Sequence, residues 1–307
     1  MDRETAERLL AVARKAQMAG ADAADWVQRL TPMRQELGDA VNFLVQTGEV
    51  EESLEIVSRL WRLWLLNGDI EGGRRVLSSA LDAGERRPTR ARSLALYGIG
   101  VLDFRAGEMA ESKNRNEEGL RVARAIGDRE AEALALVGLS RVALRDRDYA
   151  RVRSLASQAR DLTMGLEPAA GVWPLHLLAT GTRLAGEYDE ARRLYSESLE
   201  LNRRLGDSGI VGMELFNLGF VELHRGNREE GERRFSESAA IRRPDGPYDT
   251  AMTLLSQAAV AVARDQREKA SELLDSATAT LGAAGIVLDP DDAVEVDWLR
   301  ERLGRPA

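Results

Sequence analysis

The sequence predicts an all-α chain built as a stack of antiparallel helix pairs, and three observations predict it. Short breaker motifs recur as NGDIEGG at 67–73, AGEMAES at 106–112, RDYARVR at 147–153, AGEYDEA at 185–191, RGNREEG at 225–231 and RDQREKA at 264–270. Aligning Gly68, Gly107, Arg147, Gly186, Gly226 and Asp265 gives spacings of 39, 40, 39, 40 and 39 residues, which marks an internal repeat. Between the breakers lie stretches of roughly 15–19 residues with apolar positions at i, i+3, i+4 and i+7, and no strand-like alternation of useful length intervenes.

Taken in order, residues 1–47 read as an N-terminal helical cap carrying Trp26, Leu30, Met33, Leu37, Val41 and Leu44. Residues 48–285 hold about six repeats of 39–40 residues. The first hairpin is LWRLWLLNGDIEGGRRVLSSAL at 60–81, where Trp61 and Trp64 share a helix face and read as a bulky plug between the cap and the second repeat. Glycine at the turn supplies the left-handed residue that ends the first helix of a hairpin, and the Asp, Glu or Asn after it suits the start of the second. AIGDRE at 125–130 and RLGDSG at 204–209 mark joints between one hairpin and the next, and GLEPAA and RRPDGP fill the equivalent joints. Residues 286–307 read as a C-terminal capping helix and tail, with Val294, Trp298 and Leu303 as its apolar residues.

Small residues fall seven before the turn (Gly100, Ser140, Ala179, Gly219, Ala258) and five after it (Gly73, Ser112, Ala191, Gly231, Ala270), as close helix crossing requires. Large residues sit nine after the turn (Leu77, Tyr195, Phe235, Leu274), and Ile70, Tyr149 and Tyr188 sit two after it. Val152 and Asn116 depart from the small and large positions. This layout resembles the tetratricopeptide repeat, although the period exceeds that family's usual length and its helix-ending proline is mostly missing. The run DWVQRLTPMRQELGDAVNFLVQTGEVEESLEIVSRLWRLWLLNGDIEGGRRVLSSAL at 25–81 is similar to the C-terminal tetratricopeptide region of bacterial signal-transduction ATPases and antibiotic-pathway transcriptional regulators, common in actinobacteria. The likeness continues through 124–144 and 254–285. It implies a right-handed superhelical solenoid and a sensor or docking module, since no GxxxxGK[ST] loop and no basic recognition helix stands in the sequence.

Composition narrows the function classes. The chain has 307 residues, 44% hydrophobic and 31% charged, enough to bury a core and keep a solvated face. Zero cysteines exclude disulfides, thiolate metal sites and cysteine nucleophiles, and fit a cytoplasmic location. A net charge of −8 argues against direct binding of nucleic acid, and the longest near-apolar run, 253–263, is too short to span a membrane. His176 and His224 have no His or Cys at metal-ligand spacing, GxSxG is absent, and carboxylate pairs such as Glu51-Glu52, Glu229-Glu230 and Asp291-Asp292 read as favourable helix starts. No enzyme, cofactor or metal is expected; an enzyme would need converging ionisable groups.

The expected role is binding, on the first helix of each hairpin, which in helical-repeat superhelices lines the concave side. The repeat register places Tyr97, Val101, Phe104 and Arg105 there in the second repeat, and Val137, Arg141, Leu144 and Arg145 in the third. Trp173, His176, Thr180 and Arg183 follow in the fourth, then Met213, Phe216, Phe220 and His224 in the fifth. Aromatics beside arginines suit a protein or peptide partner with apolar and acidic groups, because guanidinium forks pair with carboxylates and stack on rings. A small-molecule effector is the alternative: an open channel favours a peptide, a closed pocket a small ligand. Deleting residues 290–307 should expose the last hairpin and promote aggregation; a truncated chain that stays monomeric in light scattering with unchanged melting would overturn the capping assignment.

Overall fold

The computed structural model describes residues 1–241, 246–284 and 287–305, and the chain divides into two compact units, Met1–Leu177 and Leu178–Ala307. The described residues form sixteen α-helices and two short 3-10 turns, with no strand among them. Of the RRPDGP joint, Arg242 to Asp245 lie outside the described residues, as do Gly285 and Ile286 at the end of the repeat region.

The first unit opens with α1 (Arg3–Lys15), capped by Asp2, whose side chain accepts the Thr5 N–H at 2.8 Å. Then come α2 (Ala23–Leu30), a 3-10 turn and α3 (Arg34–Gln46). Three hairpins follow: α4 (Val50–Leu66) with α5 (Ile70–Asp82), α6 (Arg90–Ala106) with α7 (Met109–Ile126), and α8 (Arg129–Arg145) with α9 (Tyr149–Thr163). Leu9, Leu37, Val41, Leu60, Leu63 and Leu77 are fully buried in one core, so α1 and α3 cover the apolar face of the first hairpin. The division between the units falls within α10 (Val172–Leu184), which pairs with α11 (Tyr188–Leu205). The second unit continues with α12 (Ser208–His224) and α13 (Arg228–Ile241), then α14 (Pro247–Ala263) and α15 (Arg267–Ala283), and ends on α16 (Pro290–Arg302).

The six aligned turn residues all adopt the left-handed conformation. Gly68, Gly107, Gly186 and Gly226 have φ between +69° and +86°, and Arg147 and Asp265 reach +57° and +59° without being glycine. Each turn closes with the same backbone bond, from the residue after the left-handed one to a carbonyl five back: Asp69 to Trp64, Glu108 to Asp103, Asp148 to Ala143, Glu187 to Thr182, Asn227 to Glu222 and Gln266 to Ala261, at 2.8–3.1 Å. That bond satisfies a carbonyl the helix end would otherwise orphan. The joints at Gly127 and Gly206 use the same geometry, so the chain reverses by one device at both kinds of turn.

Packing explains the small positions. A methyl group on Gly219 would lie 2.5 Å from the Phe235 ring, and one on Gly231 would lie 2.8 Å from Leu223 and 3.1 Å from the Gly219 carbonyl oxygen, so both glycines set the crossing of α12 and α13. Leu77, Tyr195, Phe235 and Leu274 are buried at the large positions. Asn116, which departs from the pattern, is also buried: its Nδ2 donates to the Ser112 carbonyl at 2.7 Å, and its amide occupies the space left by Gly100 and Gly138. Replacing Gly219 by valine should destabilise the second unit by about 2 kcal/mol, because the clash with a ring wedged between Phe216 and Phe220 far exceeds the roughly 0.4 kcal/mol of helix propensity gained. Thermal melting of G219V several degrees below wild type is the expected outcome, and equal melting would refute the close crossing.

Candidate functional site

In the first unit the first helices of successive hairpins bring aromatic and arginine side chains together. Trp61 on α4 meets Tyr97 on α6 edge to face, with centroids 5.7 Å apart. The Arg141 guanidinium on α8 donates to the Tyr97 hydroxyl at 2.8 Å and lies 4.9 Å from the Trp173 centroid on α10. Arg62, beside Trp61, lies 5.9 Å from the same Trp173 ring and donates to the Met18 carbonyl at 3.0 Å. Residues of α4 and α10 therefore approach each other across α6 and α8. Arg145 sits 5.1 Å over Phe104, and its buried Nε has no hydrogen-bond partner among the described residues. Such contacts hold the guanidinium planes at fixed positions at little entropic cost, since the stacked ring restricts the side chain before any ligand arrives.

Of the residues the sequence singled out in this unit, Arg141, Arg145 and Trp173 are half-buried, Arg105 is exposed, and Tyr97 and Phe104 are buried beneath the arginines. His176 is buried against the edge of Trp173 at 5.8 Å. Val101, Val137 and Leu144 are buried. The tryptophan pair divides: Trp64 is buried against Gly73, as a plug should be, whereas Trp61 is half-buried and belongs to the cluster. Sequence reasoning missed Arg62, although it occupies the same register position as Arg141, six before the turn.

The second unit turns its candidate residues to a different use. Arg183, expected on an open face, is 2% exposed. Its Nε donates to the Tyr195 hydroxyl at 3.3 Å, its Nη2 to Asp291 at 3.4 Å and its Nη1 to Glu295, both carboxylates being on α16. Thr180 is buried and shares a hydrogen bond with Tyr195 at 3.0 Å. Burial opposes the Arg183 charge, but Tyr195, Asp291 and Asp292 more than offset it and hold the guanidinium protonated. His224 stacks on Tyr188 at 4.8 Å, meets the Trp298 ring at 4.8 Å and hydrogen-bonds Glu295 through Nε2 at 2.9 Å. Tyr248 on α14 donates to Asp292 at 2.9 Å; burial, then Asp291 and Asp289, raise that carboxyl above the ordinary range.

Phe216 and Phe220 require correction. Rather than lining an open face, both are buried with Phe235, and Trp298 lies 6.3 Å from Phe220. Phe216 packs on Phe220 and on Phe235 of α13, while Trp298 of α16 lies against Phe220 and His224; Met213 stays half-buried. The acidic pair in α16, Asp291 and Glu295 at i and i+4 with Trp298 three further on, was visible in the sequence as one helix face, but nothing there said what that face meets. Among the described residues no group of three or more His, Asp or Glu is placed to hold a metal ion, and no helix is long and apolar enough to cross a membrane.

No family model matches the sequence, and no curated protein matches it. Solved structures do match. A Rap protein complexed with competence and sporulation factor aligns at TM-score 0.62 and 14% identity, over 96% of this chain and 80% of that one. A signal transduction ATPase with a tetratricopeptide repeat sensor from Pyrococcus horikoshii aligns at 0.62 and 15%, over 93% of this chain and 43% of that one. A tetratricopeptide repeat protein from Parabacteroides merdae aligns at 0.54 and 15%, over 89% and 99%. The fold is thus of the tetratricopeptide-repeat type, with hairpins like those of the ATPase sensor.

Burial, then Arg183 and Arg302, bring the His224 imidazole down from 6.5 to about 4, and Glu295, already engaged by Arg183, does not restore it. Protonation therefore favours the unfolded chain: the contribution of this contact is complete above pH 6.5 and drains as pH falls toward 4, by up to about 3 kcal/mol. Melting temperature followed from pH 7 to 4 should fall less steeply in His224→Asn than in wild type; parallel curves would show that His224 is not the linked group.

Proposed function

We propose that the chain is a non-enzymatic scaffold that binds a protein or peptide partner on the first-helix face of its N-terminal unit. The observation that carries this reading is the arrangement of Arg62 and Arg141 against Trp61, Tyr97 and Trp173, where cations and rings from four successive first helices converge. Arginine and tryptophan held in place by neighbours are the side chains that most often dominate binding energy at protein interfaces. The Rap neighbour is complexed with competence and sporulation factor, and the repeats of the ATPase neighbour are its sensor. That likeness and the sequence resemblance to regulators support a role in bacterial signalling or transcriptional control, in the cytoplasm, as part of this proposal.

The test is capture from a bacterial lysate on immobilised wild-type protein and on a variant carrying Arg141→Glu and Trp173→Ala, with helicity checked by circular dichroism. A protein or peptide retained by wild type, identified by mass spectrometry and weakened at least tenfold (about 1.4 kcal/mol) against the folded variant, is the expected result. Partners held equally by both proteins would overturn the assignment of this face, and capture of a small molecule alone would replace the peptide reading with effector sensing.

A further inference from the structure

The second unit contains an example of what a first-helix face of this chain accepts. Helix α16 docks by its carboxylates and its tryptophan, and the residues it meets stand at definite register positions. Arg183 is three before its turn residue Gly186; Phe220 and His224 are six and two before Gly226. Asp291, Glu295 and Trp298, spaced i, i+4 and i+7 along one helix face, make the contact.

The same positions in the first unit carry similar chemistry. Phe104 and Arg105 stand three and two before Gly107, and Arg141 and Arg145 stand six and two before Arg147. Among the described residues the contacts of Arg141 and Arg145 are to Tyr97, Trp173 and Phe104, and none is a carboxylate. Both arginines are half-buried, so part of each guanidinium stays accessible. In a chain of net charge −8, the Arg141 and Arg145 guanidinium groups, which meet no carboxylate among the described residues, are a local inversion of sign.

We propose that the first-helix face of the N-terminal unit docks an acidic amphipathic helix of a partner protein, with two carboxylates one turn apart and an aromatic side chain a further turn along, in the manner of α16. This rests on the docking reading above and gives it a partner class. The carboxylates pair with the half-buried guanidinium groups of Arg141 and Arg145, while the aromatic ring of the partner extends the Trp61, Tyr97 and Trp173 cluster.

The probe is a fluorescein-labelled synthetic peptide copying residues 289–303, DPDDAVEVDWLRERL, titrated by fluorescence anisotropy into the full chain. Saturable binding is expected, weakened at least tenfold by the double variant Arg141→Glu, Arg145→Glu, and weakened likewise by raising salt from about 0.05 to about 0.5 M. A second peptide with its acidic residues changed to Asn and Gln needs no change in the protein and should bind at least tenfold more weakly. Absence of saturable binding, or binding that the folded double variant or the neutralised peptide leaves unchanged, overturns the proposal. A captured partner that needs Arg141 and Trp173 but docks through a segment without carboxylates overturns it too, while leaving the scaffold reading standing.

Discussion

Everything in this protein depends on one constraint: a two-helix hairpin cannot bury its own apolar face. At about 25 cal/mol per Å², the stabilisation comes from neighbours, and a neighbour can approach only where side chains are small. Gly219 and Gly231 show how narrow the tolerance is, with the Phe235 ring and a backbone oxygen already in the space a methyl would take. The left-handed residue at each turn is the second half of the constraint, because it returns the chain at a fixed angle and ties off the end of the helix. Where Arg147 and Asp265 replace glycine, the conformation persists, so the packing of the hairpin overrides the local preference.

The same rigidity makes the first helices useful. Side chains at repeated register positions of α4, α6 and α8 are delivered to one face with their backbones fixed. Trp61, Tyr97 and Arg141 therefore meet without any loop to order. Rings below the arginines take up part of each guanidinium plane and leave its N–H edges for a ligand. Where those positions are filled, as by α16 in the second unit, the arginine becomes an internal ion-pair partner. Arg183 illustrates the cost of that role: a fully desolvated charge needs Glu295, Asp291 and Tyr195 around it, and the net gain from such a cluster is small compared with its specificity for one docked geometry.

Titration follows from the same burial. His224 is held neutral because the ring is enclosed by Tyr188 and Trp298 and faces the Arg183 and Arg302 charges, while the Asp292 carboxyl, enclosed beside Asp291, is held toward its protonated form. The two groups respond in opposite senses. Acid works against the first, and rising pH works against the second.

The sequence by itself determined the helix hairpins, their period, the turn residues and the small and large crossing positions, because these are local: Gly107 ends a helix and Gly219 admits a ring whatever lies elsewhere. It also brought Tyr97, Arg141 and Trp173 forward as candidates, since register alone puts them on first helices. Only the tertiary structure decided which of those positions stay accessible. Tyr97 and Val101 are buried, as are Phe216 and Phe220 at the same register positions, whereas Arg62, Arg141 and Arg145 stay half-buried and Arg183 is drawn inward by carboxylates 108 and 112 residues away. Helical periodicity fixes the direction of a side chain from its own axis; what fills the space in front of it depends on a segment distant in the chain, to which the period is blind.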